Sequence, residues 1–240
     1  MSANFSNIVR RGEPSRSAHL VASLRAVHPL LDEPLVLHDP IALPLLGPAA
    51  EAALRSDPFV LNDPILRGLR AALVARSRFV EDELSHCVAA GVRQYVVLGA
   101  GLDTFAYRNP WGGSSLRVFE VDQAATQRWK RQLLADANIG VPDSLNFVAM
   151  DFERDDLFEA LAATGFQDHE PACVSWMGVT PYLTAEAVRR MLRGLSRLAS
   201  RSCLCFDFRA PTAMLDPVER VIEDHFSAKA ASAGEPWLSS

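Results

Sequence analysis

The sequence of 240 residues lacks long apolar runs and any surplus of cations. No apolar segment approaches the roughly 20 residues that a membrane-spanning helix needs, so we do not expect a membrane protein. Residues 1–13 are polar, and no apolar stretch of a secretory signal follows them. Lys and Arg total 24 against 29 Asp and Glu, which disfavours general nucleic-acid binding because phosphate contacts require cations. The composition therefore predicts a cytoplasmic globular protein.

Metal-binding motifs are also missing from the sequence. The four cysteines form no C-x-x-C pair, and the six histidines lie at no metal-ligand spacing, so we expect no metal site. Cys203 and Cys205 alternate along an apolar run and should point to one face of a strand. We interpret both as small buried hydrophobic residues in a reducing compartment.

Short apolar runs alternate with helical stretches in the second part of the chain. The predicted strands are residues 94–99, 117–122, 146–151, 172–177 and 202–208. The predicted helices between them are residues 124–137, 155–164 and 185–196. This order is typical of a Rossmann-like, doubly wound α/β fold with a mostly parallel sheet and helices on both faces.

The first 90 residues have a helical pattern. Ser15 or Ser17 can cap a first helix that we expect to end at Pro29, and residues 33–64 are broken by prolines into short helices and turns. A long helix is predicted from Asp63, with a stop at Gly91. Its apolar stripe is Leu66, Leu69, Leu73, Phe79, Val80, Leu84 and Val88. We expect one domain, in which residues 1–90 form a lid over a core of residues 91–240.

The ends of the first three strands carry side chains suited to a nucleoside. Gly99 and Gly101 let the backbone approach a ligand closely. Asp122 lies at the second strand end, 21 residues after Gly101, where an acid can bind the ribose hydroxyls. Asp151 can accept a hydrogen bond from an adenine amine, and Phe152 can pack on the ring. Since these strand ends share one edge of the sheet, they predict a nucleoside pocket.

The glycine-rich turn indicates which adenosine cofactor this pocket binds. A dinucleotide fingerprint would continue to a third glycine, but Thr104 occupies that position. Asp103 would repel a pyrophosphate, whereas S-adenosylmethionine has no phosphate and carries a sulfonium cation. We therefore favour S-adenosylmethionine. A nicotinamide-dependent oxidoreductase and a non-catalytic cofactor-binding protein remain alternatives.

Three segments together resemble the leucine carboxyl methyltransferase family: residues 94–108 (QYVVLGAGLDTFAYR), 118–126 (VFEVDQAAT) and 179–184 (VTPYLT). The similarity extends from about Arg16 to Trp237. The family belongs to the class I S-adenosylmethionine-dependent methyltransferases, and its bacterial branch is linked to O-methylation of polyketides and other small molecules. The resemblance thus implies methyl transfer to a carboxylate or hydroxyl oxygen of a small-molecule acceptor.

The resemblance also implies roles for particular residues. The positions that match the family's cofactor-binding residues are Arg76, Gly99, Gly101, Asp122, Asp151 and Phe152. Arg76 matches the arginine that pairs with the methionine carboxylate of the cofactor, a task that suits a guanidinium. Segment 16–18 (Arg-Ser-Ala) resembles a cationic segment that helps to close the site. The pair Tyr107-Arg108 also fits the family pattern, either through a salt bridge from Arg108 to Asp103 or through a ligand contact.

Two features depart from the family pattern. Met177 stands after the fourth strand, where many members have an acid. Family chains also continue past residues 234–240 (GEPWLSS) with a helix and two strands, so we expect the C-terminal strands of the sheet to be missing and strand five to be an uncovered edge. No histidine belongs to a motif near the strand ends, and we assign no catalytic base.

Overall fold

A computed structural model describes residues 15–112, 115–232 and 234–239. Its single sheet has five parallel strands in the order β3-β2-β1-β4-β5. The strands are β1 Gln94–Leu98, β2 Arg117–Asp122, β3 Leu145–Ala149, β4 Cys173–Trp176 and β5 Cys203–Phe206. All five predicted strands are therefore present, and the predicted parallel α/β sheet is confirmed. The ends differ by one or two residues. β5 stops before Asp207 and lies at an edge of the sheet.

Eight α-helices surround this sheet in the described part of the chain. They are α1 Arg16–Leu31, α2 Ala42–Leu45, α3 Pro48–Ser56, α4 Pro64–Ala89, α5 Ala124–Asp136, α6 Leu157–Ala162, α7 Ala185–Leu195 and α8 Pro217–Ser232. Our sequence analysis did not predict α8. No helix among the described residues is both long enough and apolar enough to cross a bilayer.

Helices cover both faces of the sheet, as predicted. Alternate strand residues such as Tyr95 and Val97 pack with Val80 and Leu84 of α4 on one face. The residues between them, such as Val96, pack on the other face in the core that includes α6 and α7. This alternation follows from the period of two residues in a strand. The sheet therefore forms the middle layer between two layers of helices.

Two details of the helical N-terminal part differ from prediction. Ser15 caps α1, accepting a hydrogen bond from the N–H of Ala18 at 3.2 Å, but the helix does not end at Pro29. It continues to Leu31, since Pro29 lies in the last turn and its missing backbone N–H costs the helix only one hydrogen bond. Phe79 was predicted to lie in the apolar stripe of α4, but its side chain is 55% exposed. Successive residues of a helix point about 100° apart around its axis, and the neighbouring Val80 occupies the buried face. Residues 1–14 of the predicted lid lie outside the described part.

The turn after β1 joins the ends of β1 and β2. Gly99 has φ +69° and Gly101 has φ +49°, values that favour glycine. The N–H of Gly99 donates to the carbonyl of Val121 at 2.8 Å. A Cβ at Gly99 would lie 2.1 Å from Cγ2 of Val179. Both the backbone angle and the neighbouring side chain therefore require glycine at position 99.

We predict that Gly99→Ala lowers the free energy of unfolding by at least about 1–3 kcal/mol, because alanine is strained at positive φ and its methyl meets Val179. Gly68→Ala is the matched control: Gly68 lies in α4, and a Cβ there has no neighbour within 4 Å. The control should stabilise the protein by about 0.5–1 kcal/mol. Urea unfolding measures both changes. Equal stability of Gly99→Ala and wild type would contradict the described turn.

A buried ion pair fixes α5 to the sheet. Nζ of Lys130 donates to Oε2 of Glu120 at 2.6 Å, and both side chains are 1% exposed. Burial raises the pKa of Glu120 to about 7, although Lys130 opposes that shift. Both side chains can therefore stay charged in the core only because the attraction between them offsets the cost of burying each charge.

We predict that Lys130→Met destabilises the protein by about 3 kcal/mol at pH 7, the lower end for breaking a buried pair, because Glu120 can take up a proton. The folded protein then holds a proton that the unfolded chain releases, so the loss should grow as the pH rises above 7. Arg128→Met, at an exposed position of α5, is the control. Urea unfolding at pH 6 and pH 9 tests this, and a pH-independent loss would contradict it.

Candidate functional site

A cavity of about 240 Å³ lies at the carboxyl ends of the strands. Its walls come from the turn after β1, the ends of β2, β3 and β4, α4, and the N-terminal turns of α1. All six residues predicted to bind the cofactor line it: Arg76, Gly99, Gly101, Asp122, Asp151 and Phe152. The structure thus brings together residues that are up to 76 positions apart in the chain.

Asp122 ends β2 and is half-buried beside the glycine turn. One carboxylate oxygen accepts the N–H of Gly101 at 2.6 Å, and the other accepts the N–H of Gln123 at 2.6 Å. Burial raises the pKa of Asp122, and these two hydrogen bonds oppose that shift. The side chain of Thr126 also hydrogen-bonds to this carboxylate. A carboxylate has about four acceptor positions, so acceptor capacity remains for a hydroxyl donor in the cavity.

Arg76 reaches the cavity from α4, and an acid after β5 holds it. Nη1 of Arg76 donates to Oδ2 of Asp207 at 2.9 Å, while Oδ1 of Asp207 accepts the N–H of Gly178 at 2.6 Å. A Cβ at Gly178, which has φ +70°, would lie 2.7 Å from Nη2 of Arg76. Burial lowers the pKa of Arg76, and Asp207 opposes that shift. Asp207 thus orients the guanidinium, which retains further donors for an anionic group.

The sequence analysis missed Asp207 and Gly178, although the strand-end argument that found Asp122 applies to them as well. Gly178 follows β4 and Asp207 follows β5 directly. What the sequence did not reveal is their joint contact with Arg76, which lies 131 positions before Asp207 in the chain.

Asp151 and Phe152 follow β3 on the other side of the cavity. Phe152 is buried and belongs to the core beneath α6 and α7. The Asp151 side chain is 43% exposed, and its Oδ1 accepts the N–H of Glu153 at 3.0 Å. This local turn holds the carboxylate at the mouth of the cavity, where an amine can reach it.

Charged side chains fasten α1 to the turn after β1. Arg25 is buried and donates to the carbonyl of Leu102 at 2.8 Å, with Nε 3.2 Å from Oδ2 of Asp39. The same oxygen of Asp39 accepts the hydroxyl of Thr104 at 2.5 Å. Thr104, which stands where a dinucleotide fingerprint has glycine, therefore has a structural partner on the segment after α1.

The predicted salt bridge between Arg108 and Asp103 is wrong. Arg108 pairs with Glu81 of α4, with Nη1 donating to Oε2 at 2.9 Å, and Asp103 lies 3.5 Å from Arg25 instead. The 3₁₀ turn Phe105–Tyr107 separates the two residues and turns Arg108 toward α4. Burial disfavours the charged form of Asp103, but nearby cations, Arg25 foremost, outweigh this effect and lower its pKa. Asp103 is therefore a fixed negative charge in the cavity wall.

The C-terminal segment, residues 234–239, contacts both the start of α1 and the loop after β4. Oε2 of Glu235 accepts the N–H of Ser17 at 2.9 Å, and Glu235 is buried. The hydroxyl of Ser239 donates to the carbonyl of Thr180 at 2.6 Å. Ser17 and Ala18 line the cavity, but the side chain of Arg16 lies outside the described residues. Glu235 also lines the cavity, and the sequence analysis gave it no role.

Two further lining features bear on the chemistry of the site. Met177 is half-buried and lines the cavity at the end of β4, as the departure from the family pattern predicts. None of the six histidines is among the described residues of the wall. The described wall therefore supplies carboxylates, hydroxyls and guanidinium groups but no imidazole.

Comparison with known proteins agrees with this geometry. The family model of leucine carboxyl methyltransferase matches residues 18–196. A Bacillus subtilis protein, YktD, named as a candidate S-adenosyl-L-methionine-dependent methyltransferase, is 33% identical, covering 96% of this chain and 83% of its own. A Parafrankia protein with a similar name is 38% identical over 66% of this chain. The present chain spans only 48% of that relative.

Solved structures show the same fold. The crystal structure of a candidate methyltransferase from Thermobifida fusca has a TM-score of 0.57 at 18% identity and covers 98% of this chain and 79% of its own. A protein of the family DUF574 from Streptomyces avermitilis also has a TM-score of 0.57 at 18% identity, covering 95% of this chain and 80% of its own. Because the family model matches most of the sequence, this chain belongs to the leucine carboxyl methyltransferase family of S-adenosyl-L-methionine-dependent methyltransferases.

Proposed function

We propose that this protein transfers a methyl group from S-adenosyl-L-methionine to an oxygen of a small-molecule acceptor, and that a carboxylate is the favoured acceptor group. The observation that carries the proposal is the hydrogen bonding of the Asp122 carboxylate. Two backbone N–H groups and the Thr126 side chain fix its carboxylate at the edge of the cavity, and its remaining acceptor capacity suits a ribose hydroxyl.

The remaining predicted residues fit the other parts of the same cofactor. The turn that contains Gly99 and Gly101 lines the cavity and would lie against the cofactor. Arg76 would bind the methionine carboxylate through donors that Asp207 does not use. Asp151 and Phe152 would hold the adenine. All of these residues line the same cavity, which supports these roles.

The charge of the wall supports a sulfonium cofactor over a dinucleotide. Six acids line the described cavity, namely Glu81, Asp103, Asp122, Asp151, Glu153 and Glu235, against two arginines, Arg25 and Arg76. Arg25 is close to Asp39 and Asp103, so it is not available to neutralise a pyrophosphate. A cation is stabilised in such a wall, whereas a doubly charged pyrophosphate is repelled.

When bound, the cofactor supplies an electrophilic methyl group on a positively charged sulfur. The protein's own task is then to align the acceptor and exclude water, which can contribute about 7–11 kcal/mol to the lowering of the barrier. A carboxylate acceptor is already ionised at pH 7 because its ordinary pKa is about 4, so it needs no general base. A phenol or alcohol would need a general base, which in the described wall only a carboxylate could supply, so a carboxylate acceptor makes the smaller demand on this site. The name of the family, which refers to a carboxyl group, supports the same choice.

We predict that the protein binds S-adenosylhomocysteine and that Asp122→Ala weakens this binding about 5- to 150-fold, the equivalent of about 1–3 kcal/mol for hydroxyls left without their acceptor. Asp143→Ala, an exposed position outside the cavity, is the matched control and should bind like wild type. Isothermal titration calorimetry measures the dissociation constants, and circular dichroism checks the fold of each variant.

A parallel titration with NADH and NADPH distinguishes the alternative cofactor class. Saturable enhancement of nicotinamide fluorescence, together with no binding of S-adenosylhomocysteine, would favour an oxidoreductase and overturn the proposal. Unchanged affinity of Asp122→Ala would show that the ribose does not bind at the end of β2.

We predict that incubation with methyl-labelled S-adenosyl-L-methionine and an extract of small molecules yields a labelled product from which mild base releases methanol. Base lability is expected because a methylated carboxylate is an ester, whereas a methylated hydroxyl is a stable ether. The Asp122→Ala protein should give little product at a low cofactor concentration. Cofactor binding without labelling of any acceptor would instead favour a non-catalytic binding protein.

A further inference from the structure

The four cysteines meet on one face of the sheet, although Cys87 and Cys173 are far from the other two in the sequence. The Sγ atoms of Cys87, Cys173 and Cys203 all lie within 4.8 Å of one another. Sγ of Cys205 lies 3.9 Å from that of Cys203. The cysteines are free thiols. The sequence analysis interpreted Cys203 and Cys205 as small buried residues on one face of a strand, and it did not predict that Cys87 and Cys173 lie close to Cys203.

The topology of the sheet explains this meeting. Cys173 begins β4 and Cys203 begins β5, and the two are register partners on neighbouring parallel strands. Their side chains therefore point to the same face of the sheet. Helix α4 packs on that face, and Cys87 lies in its last turn. Three different elements thus each contribute one sulfur, which no linear motif in the sequence could show.

We propose that Cys87, Cys173 and Cys203 form a binding site for one Zn²⁺ ion. Zinc–sulfur bonds are about 2.3 Å long, which places the sulfurs of a tetrahedral site about 3.8 Å apart. The observed upper limit of 4.8 Å requires each sulfur to approach its neighbours by at most about 1 Å, within the reach of a side-chain rotation. The fourth position is left for water or another ligand.

The charges and surroundings favour a divalent ion. Three thiolates and Zn²⁺ leave one net negative charge, whereas a monovalent ion would leave two, at a higher cost of burial. Binding converts three thiols to thiolates and releases three protons to solvent. The last turn of α4 presents the negative end of a 26-residue helix, which stabilises a nearby cation.

Access from solvent is consistent with such a site. Cys173 is buried, but Cys87 and Cys203 are only half-buried, so an ion can reach them from solvent. Burial raises the pKa of Cys87 and Cys173. Binding of an ion must therefore offset the cost of deprotonating these two thiols. A bound ion would connect α4 to β4 and β5 and would serve the fold rather than the methyl transfer.

The test begins with the full chain, reduced and freed of metal by a chelator. Native mass spectrometry after addition of ZnCl₂ should show one zinc ion per chain, and the melting temperature should rise with zinc concentration. Cd²⁺ in place of zinc should produce the ultraviolet charge-transfer absorption of a cadmium–thiolate centre, with the intensity of three sulfurs. Absence of a bound ion, or of the thiolate absorption, would overturn the proposal.

Variants locate the ion. Cys87→Ala and, separately, Cys203→Ala should each lose the bound zinc and the zinc-dependent rise in melting temperature. His86→Ala is the matched control: its side chain is 78% exposed next to Cys87 and could bind zinc at the surface, and this variant should retain the ion. Circular dichroism checks that each variant folds. Zinc retained in both cysteine variants, or lost in His86→Ala, would contradict the proposed ligands.

Discussion

The site depends on the hydrogen bond between the carboxylate of Asp122 and the N–H of Gly101. This bond joins the end of β2 to the turn after β1, so the proposed ribose-binding carboxylate and the glycine turn are held in one unit. The positive φ angles of Gly99 and Gly101 aim the N–H at the carboxylate, and the missing Cβ of Gly99 lets Val179 pack against the turn. A larger residue at position 99 would displace both the turn and the loop after β4.

The charged groups around this unit are oriented by contacts between separate elements. Asp207 after β5 holds Arg76 of α4, and Asp39 holds both Arg25 of α1 and Thr104. Each contact uses only some of the donors or acceptors of the group that it orients. The cavity therefore has its charges in place before a ligand binds, which reduces the ordering cost of binding.

Sequence patterns predicted the parts of the molecule that depend on local periodicity. The five strands and the strand-end residues Asp122 and Asp151 followed from apolar runs and the parallel order. Contacts between distant positions could not be predicted in this way, because no spacing rule relates Ser17 to Glu235. The same holds for the pairing of Arg108 with Glu81, since Asp103 was an equally suitable acid closer in the chain.

The cysteine cluster and the cofactor cavity lie at opposite ends of the same sheet. Cys173 and Cys203 are the first residues of β4 and β5, whereas the cavity lies at the carboxyl ends of the strands. Helix α4 reaches both, since Cys87 and Arg76 are 11 residues, or about 16 Å, apart along it. A bound ion would therefore act on the cofactor only by fixing the helix that carries Arg76. The hydrogen bond between Asp122 and the glycine turn does not involve that helix, so failure of the metal site would leave the argument for the cofactor unchanged.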